Sequence, residues 1–170
     1  MRPAASCPQD IETLVPWLLQ DLPSYANRVA SRGRGSLAQP LEPLGTVVVA
    51  SQPDFAPLDL ADRALGPGLD PRADIRQVFF TTLERQYQPT QVVSLQHFHW
   101  LFFVSTADGW RLALMYSSLG GYPRSDDSSS ATGPVGLLTP PQESSQGILG
   151  QAVSLWLRDC RAGAVFPTRE

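Results

Sequence analysis

The stretch from Val92 to Leu119, VVSLQHFHWLFFVSTADGWRLALMYSSL, limits what this chain can fold into more than any other. Two apolar runs flank Thr106-Ala107-Asp108-Gly109. Asp-Gly supplies the positive φ angles of a tight turn, because Gly has no Cβ and Asp tolerates the left-handed region. Phe, Trp, Val and Leu in the flanks suit a pleated surface. The stretch therefore predicts a long β-hairpin. With Asp108-Gly109 as the loop, Ala107 faces Trp110, Phe103 faces Leu114 and Leu101 faces Tyr116. Alternation then puts His97, His99, Leu101 and Phe103 on one face with Leu112, Leu114 and Tyr116. Phe98, Trp100, Phe102, Val104, Ala113 and Met115 take the other. Both faces are apolar, whereas a sheet with one wet face alternates more cleanly. The hairpin is expected to be central and covered on both sides, or to meet a partner on one.

The chain has 170 residues, enough for one domain with a sizeable core, and residues 1–170 are read as a single domain. Charged residues make up only 17% and the net charge is -3. All thirteen basic residues are Arg. No basic stripe that could track phosphates is visible, which argues against nucleic-acid binding. No apolar run approaches the length of a transmembrane segment. The opening MRPAASCPQD has no signal-peptide apolar region. The numbering is read as starting after a removed leader, or else the protein is cytosolic.

Ile11, Leu14, Val15, Leu18, Leu22, Tyr25 and Val29 recur at steps of three and four, one stripe of a helix capped by Asp10. Pro16 and Pro23 predict a kink, or two short helices, ending before Ser31-Arg32-Gly33-Arg34-Gly35. Gly45 to Gln52 reads as a strand, and Pro53 to Asp74 as a packed loop with a helical turn at Leu60 to Ala64. Ile75 to Tyr87 fits strand or helix, and Phe79-Phe80-Thr81-Thr82 favours strand. Gly120 to Glu143, rich in Ser, Asp, Gly and Pro, reads as a long flexible loop and a candidate for contacting a partner. Ser144 or Ser145 can cap a last helix whose stripe is Leu149, Ala152, Val153, Trp156 and Cys160, widened by Ile148 and Leu155. Gly163 is its stop.

One motif suggests chemistry. His97 and His99, two apart on a strand, point to the same face, a spacing that can hold zinc. His97-Phe98-His99-Trp100 resembles the His-Phe-His-Trp of alpha-class carbonic anhydrases, whose strand offers two of three zinc ligands. These are the only two histidines, so the resemblance leaves the third ligand unassigned. The competing reading is two imidazoles hydrogen-bonded at the end of a sheet. Ser117-Ser118 lacks a G-x-S-x-G elbow, and pairing with Asp126 or the histidines would be chance. Asp126-Asp127 lacks the ligand spacing of a calcium loop. No cofactor site is predicted.

Cys7 precedes the first helix and Cys160 lies late in the last one. A disulfide between them would tie the ends of the fold together, worth roughly 4–5 kcal/mol in the chain-entropy model, and would indicate an oxidising compartment. The alternatives are two unpaired thiols, or Ala4-Ala5-Ser6-Cys7 as a degraded lipid-attachment site.

Phe79 to Tyr87, His99 to Gly120 and Glu143 to Gly163, with Pro8 to Val29, resemble an uncharacterised family of exported cyanobacterial proteins that carries no known activity. The resemblance implies export to the periplasm or thylakoid lumen. The resulting expectation is an α+β fold, with a mostly antiparallel sheet of about four strands, a kinked N-terminal helix and a C-terminal helix packed on it. The expected role is a non-catalytic accessory or binding protein, acting through a sheet face or the loop 120–143. The alternatives are a zinc-dependent hydrolase or lyase using His97 and His99, and a small-molecule carrier with an apolar pocket between sheet and helices.

Overall fold

The computed structural model describes residues 6–33, 45–56, 75–87, 89–120 and 139–165. Within these, helix α1 (Ile11–Gly33) is followed by strands β1 (Gly45–Val49), β2 (Ile75–Tyr87), β3 (Val92–Thr106), β4 (Gly109–Leu119) and β5 (Gln142–Glu143). Helix α2 (Ile148–Arg161) follows β5. The strands form one antiparallel meander in the order β1-β2-β3-β4-β5. The class is α+β, as expected, with five strands among the described residues rather than about four. The fifth is the two-residue Gln142–Glu143 pairing with Tyr116 and Ser117, too short to leave a periodic signal.

Helix α1 is one element across both prolines and ends at Gly33, past the expected stop. Pro16 is exposed, so the carbonyl that loses its partner one turn back can turn to water. Asp10 caps the helix as expected, its Oδ2 accepting the Thr13 N–H at 3.0 Å and the Thr13 hydroxyl at 2.8 Å. The whole predicted stripe from Ile11 to Val29 is buried. Leu60 to Ala64 and Arg34-Gly35 lie outside the described residues.

The hairpin departs from its expected register twice. The loop residues are Ala107 and Asp108, because Thr106 pairs with Gly109. Gly109 takes φ +116°, the position after a turn that Gly fills without strain. The Thr106 hydroxyl lies 3.0 Å from Asp108 Oδ1 and 2.6 Å from the Gly109 carbonyl, which fixes the tip. Farther along, Phe103 pairs with Leu112 but Phe102 pairs with Leu114, so Ala113 is a one-residue bulge. The bulge exchanges faces. Met115 joins His97, His99, Leu101, Phe103 and Leu112, while Leu114 and Tyr116 move to the side of Phe98, Trp100 and Phe102.

Both helices pack on the Met115 side. Val78, Phe80, Leu101, Phe103 and Met115 of the sheet meet Leu14, Leu18 and Leu22 of α1 and Ala152, Val153, Trp156 and Leu157 of α2 in one cluster. Two polar bonds cross between the helices: Trp156 Nε1 donates to Asp21 Oδ2 at 2.8 Å, and the Tyr25 hydroxyl to Asp159 Oδ2 at 2.9 Å. Cys7 and Cys160 lie at disulfide-bonding distance, with Cα atoms 5.2 Å apart, and the Trp110 indole donates to the Gln9 carbonyl beside them.

Helix α2 starts differently from expectation. Its N-cap is Gly147 with no side-chain cap, and neither Ser144 nor Ser145 serves. Ile148 is exposed and Leu157 is buried, so the stripe turns slightly from the one read in the sequence. The end is as expected. Gly163 has φ +70°, its N–H donates to Cys160 O, and Ala164 N–H donates to Asp159 O, the paired bonds of a Schellman stop. Gly150 is constrained by space, since an added Cβ would sit 2.2 Å from the Ser145 carbonyl oxygen. Gly150→Ala is expected to destabilise by about 1–3 kcal/mol, read as a lower urea midpoint, because backbone must shift. An unchanged midpoint would show that the turn before α2 yields freely.

Candidate functional site

The sharpest polar constellation lies where β2, β3 and β4 meet the turn before α2. His99 is 1% exposed. Its Nε2 lies 2.8 Å from Thr82 Oγ1 and its Nδ1 2.8 Å from Ser117 Oγ. Ser117 Oγ is in turn 2.7 Å from Ser144 Oγ, and Ser144 Oγ is 3.4 Å from the Met115 carbonyl. Run toward that carbonyl, every proton in the chain finds an acceptor. Ser144 then donates to Met115, Ser117 to Ser144, His99 Nδ1–H to Ser117, and Thr82 to Nε2.

His97 stacks on His99, with ring planes 4° apart and centroids 5.9 Å apart. Its Nε2 stands 3.4 Å from Glu84 Oε2, a charge-pair distance without hydrogen-bond alignment. The side chains of His97 and Glu84 are about a quarter exposed, at 27% and 28%. The structure thus brings the two predicted histidines onto one face, as expected, but splits the parts of a triad between them. Ser117 meets His99, whose far nitrogen faces a hydroxyl rather than a carboxylate. Glu84 meets His97, which has no hydroxyl nucleophile among its described contacts.

Burial, then the neighbouring His97, pushes the His99 pKa down to about 3. An imidazole so reluctant to accept a proton is a weak general base. Both its nitrogens are committed to hydroxyls, and among the described residues no three His, Cys, Asp or Glu side chains are grouped to hold a metal. Ser118, buried on the opposite face, bonds to the Thr139 carbonyl instead. Asp126 and Asp127 lie outside the described residues. Sequence reading missed Thr82 and Ser144, because hydroxyls gathered from three elements leave no local spacing.

The depressed His99 pKa has a signed consequence. An unfolded chain takes a proton at His99 near pH 6.5, whereas the folded chain resists until about pH 3. Stability is therefore complete above pH 6.5 and falls as pH drops toward 3. Between pH 7.5 and 5.0 the expected loss is about 2 kcal/mol, to be read as the change in urea-unfolding free energy. His99→Gln should flatten this slope, and a wild-type slope of zero over that range would contradict the buried neutral imidazole.

The second candidate is a surface. On the face away from the helices lie Phe79 on β2, Phe98, Trp100 and Phe102 on β3, and Leu114 and Tyr116 on β4. The rings are in mutual contact. Phe79 is 5.4 Å from Trp100 and 6.2 Å from Phe98, and Phe102 meets Tyr116 edge-on at 6.4 Å. Most are half-buried, and the apolar face continues to Val48, Tyr87 and Val92, which are 51%, 52% and 58% exposed. Among the described residues no helix lies on this face. The space on the helix side, where a carrier would need its pocket, is filled by Trp156, Phe80, Phe103 and Leu101.

Comparison with family models, with curated proteins and with solved structures found no match.

Proposed function

We propose that the chain is a non-catalytic binding module that works outside the cytoplasm, with the aromatic face of β2, β3 and β4 as its contact surface. The observation that carries the reading is the asymmetry of the sheet. Both helices close one face, while the other presents a run of touching rings that widens into exposed Val48, Tyr87 and Val92. Contiguous apolar surface on a small protein marks sites of interaction, and aromatic side chains contribute the most contact energy per residue. The Cys7–Cys160 pair supports an oxidising compartment, the periplasm or the thylakoid lumen. No helix among the described residues is long and apolar enough to cross a membrane.

The test places a photo-crosslinking residue at Tyr116 in one version of the protein, and at Ser24, exposed on α1, in another. In cells that make the protein, Tyr116 is expected to give one discrete adduct and Ser24 none. Phe79→Ser in the Tyr116 version should remove the adduct while the fold persists by circular dichroism. Equal labelling from both positions, or none from Tyr116, would overturn the reading.

A further inference from the structure

We propose that the Cys7–Cys160 disulfide is a thiol-exchange site of fixed polarity, open to a dithiol reductant. The incoming thiolate attacks Cys7 Sγ, Cys160 is the leaving group, and the strap before α1 is released while the core stays closed. The geometry points to this because the two sulfurs have unlike surroundings. Cys160 is 2% exposed and belongs to the core cluster with Trp156 and Leu157. Its backbone is fixed in the last turn of α2, where its carbonyl accepts the Gly163 N–H at 2.9 Å. The neighbouring Arg161 guanidinium holds that end of the helix by donating to the Trp110 carbonyl at 2.7 Å. Cys7 is half-buried in an irregular strap between exposed Ser6 and exposed Gln9. The Trp110 indole ties the strap to the fold at the Gln9 carbonyl, two residues beyond the sulfur.

Two effects compete in choosing the sulfur. Exchange runs faster when the departing thiolate is well stabilised. That effect favours attack at Cys160, because Cys7 would leave into water, whereas Cys160 would leave into apolar surroundings at the carbonyl end of a helix. Access works the other way. A thiolate needs room on the far side of the sulfur that it attacks, and the mixed disulfide that results must house a new group there. At Cys160 that group would have to enter a close-packed core. At Cys7 it projects from a surface strap. Attack at Cys160 therefore waits on opening of the end of α2, while Cys7 is reached from the folded state, and access decides. After the exchange Cys160 stays behind as a neutral thiol, a small apolar group suited to the core.

The sequence balances with one co-reactant. A thiolate of the dithiol bonds to Cys7 Sγ, and the Cys7–Cys160 bond breaks with its electron pair on Cys160 Sγ, which takes a proton. The second thiolate of the dithiol then attacks its own partner sulfur in the mixed disulfide. Cys7 leaves with the electron pair and takes a proton, and the co-reactant departs as a disulfide. The chain gains two electrons and two protons, and the dithiol loses them. A monothiol stalls after the first step, because Cys160 remains within reach, with Cα atoms 5.2 Å apart, and displaces it. The partner class is therefore a protein with two neighbouring thiols, a dithiol oxidoreductase. The site is independent of the aromatic face, and its test uses no binding partner.

The test has two arms, both on the full chain. In the first, the oxidised protein is incubated with glutathione as the probe thiol in native buffer and quenched in acid, and the adduct is mapped by peptide mass spectrometry. The small trapped fraction is expected on Cys7. In the second, the chain is reduced with dithiothreitol, freed of reductant and pulsed with N-ethylmaleimide. Cys7 is expected to be alkylated at least about 100-fold faster than Cys160, which should react readily only in urea. The reduced chain should keep its far-ultraviolet circular dichroism at 25 °C. A glutathione adduct on Cys160, or alkylation of both thiols at similar rates, would overturn the polarity. Loss of the fold on reduction, or a disulfide that dithiothreitol cannot reduce without urea, would overturn the exchange site itself.

Discussion

A Cys7→Ala/Cys160→Ala chain is expected to melt about 10–15 °C below its parent, reflecting a loss of roughly 4–5 kcal/mol. The size of the effect follows from the sequence separation of 153 between the two cysteines. A cross-link over so long a loop removes a large set of extended conformations from the unfolded chain. The folded chain needs little distortion to accept it, because the strap before α1 already lies against the end of α2. There the Trp110 indole holds Gln9, and Cys160 is buried in the core cluster. Alanine is the right replacement at Cys160, since serine would bury an unpaired hydroxyl and confuse the cross-link with a polar penalty. Thermal melts with and without reductant check the expectation. The reduced parent should match the double variant to within a few degrees. A parent whose melting ignores reductant, or whose denatured and unreduced form titrates two free thiols, would refute both the cross-link and the oxidising compartment inferred from it.

What could be read from the residues, and what could not, divides along a physical line. The α1 stripe was legible because a helix with one buried side repeats its apolar positions at a fixed step, and every residue from Ile11 to Val29 in that stripe is buried. Gly163 was legible because a left-handed stop asks for one residue type. The facing pattern of the hairpin was not. Its two faces are both apolar, so a shift of one residue at Ala113 leaves the sequence pattern unchanged while moving Met115 into the core and Tyr116 out of it. Had one face been polar, the same bulge would have shown as a break in alternation. The pair His97 and His99 was legible as two imidazoles on one face. Their different fates, one locked between hydroxyls and the other about a quarter exposed beside Glu84, depend on Thr82, Ser117 and Ser144 arriving from β2, β4 and the turn before α2. Nothing in the spacing of those residues announces that they meet. For the same reason the expected serine caps of α2 failed. Ser144 has a stronger engagement with Ser117 than with the helix start, and Gly147 takes the boundary instead.

Trp156→Ala should cost about 3–5 kcal/mol, close to the loss of the disulfide but with a different signature. Trp156 is fully buried and heads the fully buried side chains by volume. It lies midway along α2, in contact with the cluster shared by α1 and the sheet, so truncation leaves a void that neither layer can close alone. Its indole N–H also donates to Asp21 of α1, so the alanine variant leaves a partly buried carboxylate without that donor. Trp156→Phe separates the two contributions. It restores most of the ring and removes only the donor, and about 1–2 kcal/mol of the loss should remain. Combining Trp156→Phe with Asp21→Ala should then cost less than the sum of the single changes, because the carboxylate that would have been stranded is gone. Urea unfolding of the parent and the four variants measures all of this. If Trp156→Ala costs less than about 1.5 kcal/mol, α2 is not the element that closes the core, and the sheet face assigned to the helices is wrong. If the alanine cost is large but the phenylalanine cost is zero, the helices are held together by packing alone, and the bond to Asp21 serves only to fix their register. Either outcome bears on the proposed function, which assigns the contact surface to the face of β2, β3 and β4 opposite the one that α1 and α2 cover.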